Sequence, residues 1–475
     1  MTMHELIKRT PIPFRPHAYQ LRAIKFLLEH AVAAIFADVG MGKSAITLAA
    51  LRVLKDRGIM RKTLIIAPLR ACWVTWPDEI AKWADFNDLK VAILHGPKKE
   101  AALKSDADIF VINPEGLVWL SLEKRFEKLA PDTLVADELH LFKHGGTQRS
   151  KLLKYMLPTF RRRWGLTATP APNGLMDLHG QMFVLDQGAS LGRFITHYRS
   201  TYFTPSGFGG YTWALKDGAA EQIYEKIQPY ILRMAAEDYL ELPERVDNVI
   251  RVELPTKARQ VYMEMERHFV TILESGEALT TPSAAAASSK LRQIVNGAAY
   301  RNAEKRQDAL VFTDEFVQLH DAKLDALEEL YEGLNGSPLL VAYEFKHDES
   351  RLRHRFKDAT FFSDFKGPKQ AGMVAAWNRG EIPLLVGNPA SMSMSLNLQG
   401  CGQHIAWFGP TWDLMFYIQF IGRVIRQGNP NTRVFNHIII AARTVEEAVV
   451  KALASKDKTQ RALLEALKNY SKEVA

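Results

Sequence analysis

Cysteine is nearly absent from this chain, which has Cys72 and Cys401 and no other among its 475 residues. The two stand far apart without partners at metal-ligand spacing, so neither a disulfide framework nor a structural zinc site organises the fold. Long apolar runs are missing too. The longest, Ala31 to Ala37, falls well short of the roughly 18 residues a membrane span needs and reads as a buried strand. The opening stretch MTMHELIKRTPIPFRP holds no apolar segment followed by small residues, which argues against a secretory signal and for a cytoplasmic protein. No repeat of fixed period is visible. Neither sign of charge dominates: Lys and Arg number 61 against 53 Asp and Glu, a net charge of +8, and the pI is about 9.2. That surplus favours a polyanionic partner such as nucleic acid without requiring one.

Present instead is the composition of a globular protein, 47% hydrophobic and 24% charged, at a length that calls for two domains. Its most informative stretch is ADVGMGKSAITL, Ala37 to Leu48. The apolar run before it predicts a strand, and Ile46, Ala50 and Val53 after it recur at helical spacing. A glycine-bearing loop between strand and helix turns backbone N–H groups around phosphates, and the helix start adds partial positive charge. Val39, Gly40, Met41 and Gly42 form that loop. Lys43 is expected to reach the β- and γ-phosphates of ATP, and the Ser44 hydroxyl to sit on Mg²⁺. Ala37 stands where the strict pattern wants glycine.

Hydrolysis also needs a carboxylate for the metal and a group to orient water. TLVADELHLFK offers both, since Thr133 to Ala136 predict a strand with Asp137 and Glu138 at its carboxyl end, where parallel sheets bind ligands. Asp137 is assigned to the Mg²⁺ shell and Glu138 to water activation.

A third element, RRRWGLTATP from Arg161 to Pro170, follows about thirty residues on, and YIQFIGRVIRQGN lies near the far end, Tyr417 to Asn429. In this order the four motifs resemble those of superfamily-two helicases and translocases. Blocks such as PHAYQLRAIKFL, LIIAPLRACWVTWPDEIAKW, DIFVINPEGL and LRQIVNGA extend the likeness to the Swi/Snf type over most of the chain. The resemblance implies an α/β fold of two RecA-like lobes, each a mainly parallel sheet with flanking helices, with ATP in the cleft between them. It implies Gln20 as the base contact, and His140, Thr167, Thr169 and Gln419 as residues coupling the nucleotide to the track. Arg423 and Arg426, whose spacing of three predicts one helical face, would neutralise charge at the γ-phosphate. Pro68, Arg70, Thr169, Asn388 and Ser391, at strand ends in motif positions, are the candidate track contacts. Such loops hold mainly phosphates, so binding is expected to be sensitive to salt and indifferent to sequence.

The chain departs from the pattern at Ser391 to Met394, where glycines are usual, and at Asn429, where glutamine is. Its compactness is similar to that of stand-alone helicases of phages and prophages, which implies a bacterial host cytoplasm. The expected activity is DNA-stimulated ATP hydrolysis driving movement along duplex DNA in replication, recombination or repair, with a nuclease or a replication or recombination protein as a possible partner and no membrane. An RNA helicase, the ATPase of a nuclease or packaging machine, and a binding module with little turnover are the alternatives.

Along the chain, a tail is expected over 1–16, lobe one over 17–235 and lobe two over 236–475, with a helical insertion at about 256–332. Lobe-one strands are predicted at 31–37, 63–67, 91–94, 109–113, 133–136 and 163–167, and lobe-two strands at 339–343, 360–362, 384–386, 404–408 and 434–440. Thr280 to Ser289 reads as a loop, Ser206 to Gly218 as a surface excursion, and Tyr230 to Val246 as the crossing between lobes. Trp76, Ile80 and Trp83 predict core packing rather than base stacking. Arg161, Arg162 and Arg163 fit either phosphate contact or a solvated turn.

Overall fold

The computed structural model describes residues 11–168, 170–171, 174–206, 212–274, 282–300, 304–306, 309–311, 315–366, 368–392 and 396–454. Thr169, residues 1–10 of the tail, 207–211 of the surface excursion, 280–281 and 455–475 lie outside the described residues. The chain divides into two compact units. Unit one comprises Met1–Thr204 and Trp213–Leu240; unit two comprises Glu241–Ala475 with Pro205–Thr212.

Unit one is built on a seven-stranded sheet of β1 (Val32–Ala37), β2 (Thr63–Ile66), β3 (Val91–Ile93), β4 (Ile109–Ile112), β5 (Thr133–Asp137), β6 (Arg162–Thr167) and β7 (Ile231–Met234). Their order is β3-β4-β2-β5-β6-β1-β7, and every pairing is parallel. Helices on both faces leave the inner strands buried on each side, which is why β2, β4 and β5 read as unbroken apolar runs. Helices α1 (Ala18–Glu29), α2 (Lys43–Asp56), α3 (Trp76–Lys82) and α4 (Leu178–Asp186) flank it.

Unit two repeats the design with six parallel strands: β8 (Glu244–Val252), β9 (Leu339–Ala342), β10 (Thr360–Phe361), β11 (Leu384–Gly387), β12 (His404–Trp407) and β13 (Arg433–Ala441), ordered β8-β13-β12-β9-β11-β10. Helices α5 (Thr256–Glu274), α6 (Pro282–Asn296), α7 (Ala322–Gly333), α8 (Lys346–Arg355), α9 (Leu414–Ile421) and α10 (Val445–Ala454) accompany them. Among the described residues no helix is long and apolar enough to cross a membrane.

Two expectations gain detail and one needs correction. The stretch expected to cross between lobes supplies edge strands to both sheets, β7 and the start of β8. Both are edges, so their residues alternate or face solvent and give no apolar run; Arg233 within β7 and Glu244 within β8 are exposed. The segment about 256–332 is predominantly helical, and it also holds two short strand pairs, Ala298–Tyr300 with Phe316–Gln318 and Glu304–Arg306 with Ala309–Val311. And from Pro282 onward the small residues read as a loop are helical, opening α6. Runs of alanine favour helix over loop, and a proline is tolerated at a helix start.

Candidate nucleotide site

The loop between β1 and α2 is shaped by backbone that only glycine adopts cheaply: Gly40 has φ 90° and Gly42 φ 76°. Among the described residues no side chain caps the start of α2, and its first turn carries no acidic residue, an arrangement that suits an anion. Lys43 Nζ donates to the carbonyls of Ala37 (2.7 Å) and Asp38 (3.1 Å), which places its ammonium at the loop. Val39 and Ser44 are half-buried, and Met41 is buried. Gln20, buried on α1, accepts from His17 N (2.9 Å) and donates to Met41 O (3.4 Å), so α1 docks onto the same loop. The donor set, a lysine and an uncapped helix start behind two left-handed glycines, fits a triphosphate.

Asp137 ends β5, and its Oδ2 accepts the indole N–H of Trp76 at 3.1 Å. Burial, then the adjacent Glu138 carboxylate, push the Asp137 carboxyl up to about 7, while the Lys43 ammonium pulls the other way. Two neighbouring carboxyl groups of which one resists ionisation fit a divalent cation, whose charge favours the ionised form. Glu138 is a non-glycine residue in the left-handed region (φ 57°, ψ 60°), a conformation costing on the order of 1–2 kcal/mol. Strain of that kind is commonly held at functional positions. His140 Nδ1 lies 3.1 Å from Glu138 Oε2 and 3.4 Å from Thr167 Oγ1, so the acidic turn after β5 is tied to the end of the neighbouring strand β6.

In unit two, Gln419 is buried on α9, but Arg423 and Arg426 do not share a helical face. The helix ends at Ile421, with Gly422 as its cap, and both arginines sit in the turns that follow. They converge on one short segment instead. The Arg423 guanidinium, largely buried, donates to Leu396 O (3.3 Å), and that of Arg426 donates to Asn397 Oδ1. Leu398 N in turn donates to Arg423 O (3.0 Å). A three-residue spacing predicts a shared face only while the helix lasts.

The candidate track residues divide. Pro68 is buried, so it offers no surface contact; what the turn after β2 exposes is Leu69, beside half-buried Arg70. Asn388 binds its own fold, donating to Tyr343 O (3.3 Å) and Glu344 O (3.0 Å) and accepting from Ala390 N (2.9 Å). It ties the ends of β9 and β11 together. Ser391 is exposed, and Thr169 lies outside the described residues. Arg162 and Arg163 take neither of the roles open to them, since Arg162 donates to the carbonyls of Leu27 and His30 and Arg163 to those of Leu157, Phe160 and Leu185.

Trp76 is fully buried, as its spacing predicts, but it also holds Asp137. A buried indole N–H requires an acceptor, and that was the available signal. Trp73, by contrast, is about half exposed and donates to His95 Nδ1 (3.3 Å), because the segment before α3 is a π-helical turn, Ala71–Thr75, that rotates it off the packed face.

Comparison with known proteins places the chain in a family. A family model described as the SNF2-related domain matches residues 19–300. Protein p41 of Acyrthosiphon pisum secondary endosymbiont phage 1 is 37% identical over 472 residues, covering 96% of this chain and 99% of its own length. The Caenorhabditis elegans homologue of the SWI/SNF-related matrix-associated actin-dependent regulator of chromatin subfamily A containing DEAD/H box 1 is 24% identical over 371 residues; the match covers 74% of this chain but only 34% of that protein. Among solved structures, the Sulfolobus solfataricus SWI2/SNF2 ATPase core in complex with dsDNA aligns over 97% of this chain and 95% of its own, at 18% identity and a TM-score of 0.44. With the domain matched over more than half the chain and a relative aligned almost end to end, the chain belongs to the SNF2-related family of ATP-hydrolysing proteins.

Proposed function

We propose that the chain is a DNA-stimulated ATPase that moves along duplex DNA with little regard to sequence. The observation that carries the reading is that β1 and β5 flank β6 in one parallel sheet of unit one, so that the glycine loop with Lys43 and the acidic pair stand at carboxyl ends of the same sheet. Gly40, Gly42, Lys43 and Ser44 would hold the phosphates of ATP, and Ser44 and Asp137 the Mg²⁺. Bound MgATP supplies the transferable phosphoryl group and a cation that offsets its charge. Glu138 takes the proton of the attacking water, and the strained backbone beneath it fixes its direction. His140 links that carboxylate to Thr167, and through the chain to Thr169. Arg423 and Arg426 are the family-type cations that complete charge neutralisation, Gln419 supports them, and Gln20 positions the loop.

Membership of the SNF2-related family and the basic balance support DNA as the partner. On this reading Arg70, Thr169 and Ser391 contact phosphates, and Asn388 shapes its loop without touching the track. The setting is a bacterial host cytoplasm, and the process replication, recombination or repair.

The test is steady-state ATP hydrolysis with single-stranded DNA, duplex DNA and RNA side by side, followed by triplex displacement. Duplex DNA is expected to stimulate most strongly, and the chain to strip a third strand in the presence of ATP. Stimulation by RNA alone would assign the chain to RNA instead. Paired Thr169→Ala and Ser391→Ala substitution should lower stimulation while sparing basal turnover.

A further inference from the structure

Unit one contains a cavity that involves none of the residues assigned above. It has a volume of about 470 Å³ and opens among the turn that follows the acidic motif, the helix Gln148–Met156, α4 and the start of the helix Ile195–Tyr202. Its floor is apolar, with Phe142, Leu157 and Val184 buried and Phe183 beside them, while Phe194 stands 60% exposed. A large aromatic ring left in water at the lip of an apolar hollow is the kind of surface that binds a partner.

The charges around it are unbalanced. Asp177, the one carboxylate of the lining, faces Lys143 at 3.7 Å. Lys154, Arg193 and Arg199 also line the cavity, and none of the three is paired with a carboxylate among the described residues. Lys154 Nζ lies 4.3 Å from the centre of the Phe183 ring, and the Arg199 guanidinium 5.7 Å from that of Trp213. The Nε of Arg199 is buried with no acceptor. Cations that rest on aromatic faces without a carboxylate are poised for an incoming anion. His179 adds no charge, since burial lowers its pKa and its Nε2 is 3.1 Å from Gly192 O.

We propose that this cavity docks an acidic peptide segment of a partner protein, with one large apolar side chain entering between Phe142, Phe183 and Phe194 and flanking carboxylates meeting Lys154, Arg193 and Arg199. A concave apolar floor suits a side chain better than a nucleic-acid backbone, whose contacts are mainly with phosphate oxygens. The site is also joined to the hydrolytic machinery. A Cβ on Gly180 would meet Lys143 O at 2.4 Å and Phe142 O at 2.5 Å, so α4 rests directly on the turn Leu139–Phe142 that carries His140. An occupant that presses on α4 therefore acts on the contacts of His140 with Glu138 and Thr167.

The experiment is selection of a phage-displayed library of random peptides on the full chain, with counter-selection on the Arg193→Glu/Arg199→Glu chain. Enriched peptides are then synthesised with a fluorophore and titrated, alongside duplex DNA. Enriched sequences should carry Asp or Glu on both sides of Phe, Trp or Leu. Their affinity should fall on the order of tenfold in the double variant and fall again with added salt, while duplex affinity stays within about twofold. Enrichment without acidic residues, or equal retention by both chains, overturns the proposal. A parallel loss of duplex affinity also overturns it, because the patch then belongs to nucleic acid. Should the double reversal unfold the chain, Phe194→Ser serves instead, since its ring is already in water; the same tenfold loss is expected, and unchanged affinity counts against the site.

Discussion

Unit one and unit two share a parallel-sheet design and differ in how their carboxyl groups away from water are partnered. At the carboxyl ends of the unit-one strands, Asp137 is half-buried beside Glu138 and its ionisation is opposed, Glu138 sits in left-handed backbone, and two glycines of the neighbouring loop do the same. In unit two Lys323 and Glu446 are paired with each other, although burial still lowers the pKa of the first and raises that of the second. Lys323 Nζ contacts Glu446 Oε1 at 2.6 Å and Asn296 Oδ1 at 2.9 Å, and Asn296 Nδ2 donates to Asp348 Oδ2 at 2.9 Å. Arg351 meets Asp321 at 2.9 Å and the main chain of Asn296. That network joins α6, α7, α8 and α10 in one buried hub. Backbone strain is commonly held at functional positions, whereas a buried ion pair is costly to break from one side.

The contrast can be broken most sharply at Glu138. Glu138→Gln is expected to lower ATP hydrolysis by about 10²–10⁴-fold while ATP binding and thermal stability stay close to those of the parent. Turnover above about a tenth of the parent rate would remove this carboxylate from the chemistry.

At the matched pair the effect moves from turnover to stability. Lys323→Met leaves Glu446 buried without its cation and should cost about 3–5 kcal/mol, read by hydrogen exchange in α7 and α10. Adding Glu446→Gln should recover most of it. If the single variant were as stable as the parent, the hub would not be what holds these helices.

Glycine provides an intermediate test within unit one. An alanine Cβ at Gly42 would lie 2.6 Å from Gln20 Nε2 in addition to its left-handed strain, whereas at Gly58 (φ 66°) nothing lies within 4 Å. Both substitutions should cost about 1–2 kcal/mol in strain, but only Gly42→Ala should weaken ATP binding. Equal ATP affinities in the two variants would separate Gln20 and the loop from nucleotide.

The smallest effect concerns the stability of unit two against pH. His437 is buried against His404 (3.2 Å) and Asn248 (3.0 Å), and burial lowers its pKa to about 4. A histidine whose folded pKa is depressed leaves the unfolded chain to bind the proton first, so stability is full above about 6.5 and falls as pH drops toward 4. Between pH 7 and pH 5 the loss should be about 1–2 kcal/mol, measured as faster exchange along β13, and His437→Asn should flatten it. A wild-type profile already flat over that range would show the pair carries protons in the folded state.

Much of the architecture was legible because inner strands of a parallel sheet are buried on both faces. IFVI and LLVA cannot hide as polar loops, and their observed limits lie within a residue or two of those expected. The strands β7 and β8 were not legible, since β7 has only four residues with an exposed arginine among them and ERVDNVIRV carries charge along its length. Lys43, Asp137 and Glu138 fall at the helix start and strand end expected of them, because such local placement depends on neighbours in sequence. The placement of Arg423 and Arg426 could not be read, because their position depends on where α9 stops, which Gly422 and the pull of Leu396 and Asn397 decide.

By itself, then, the order of residues determined a glycine loop between strand and helix, an acidic pair at a strand end and two sheets of apolar strands, all consequences of spacing over a few residues. Tertiary structure alone decided which charges are matched and which are opposed. Trp76 reaches Asp137 across 61 residues of chain, and Lys323 reaches Glu446 across 123. The acidity of a carboxyl group follows from how much water and which charges surround it, and those surroundings are assembled only when distant segments pack.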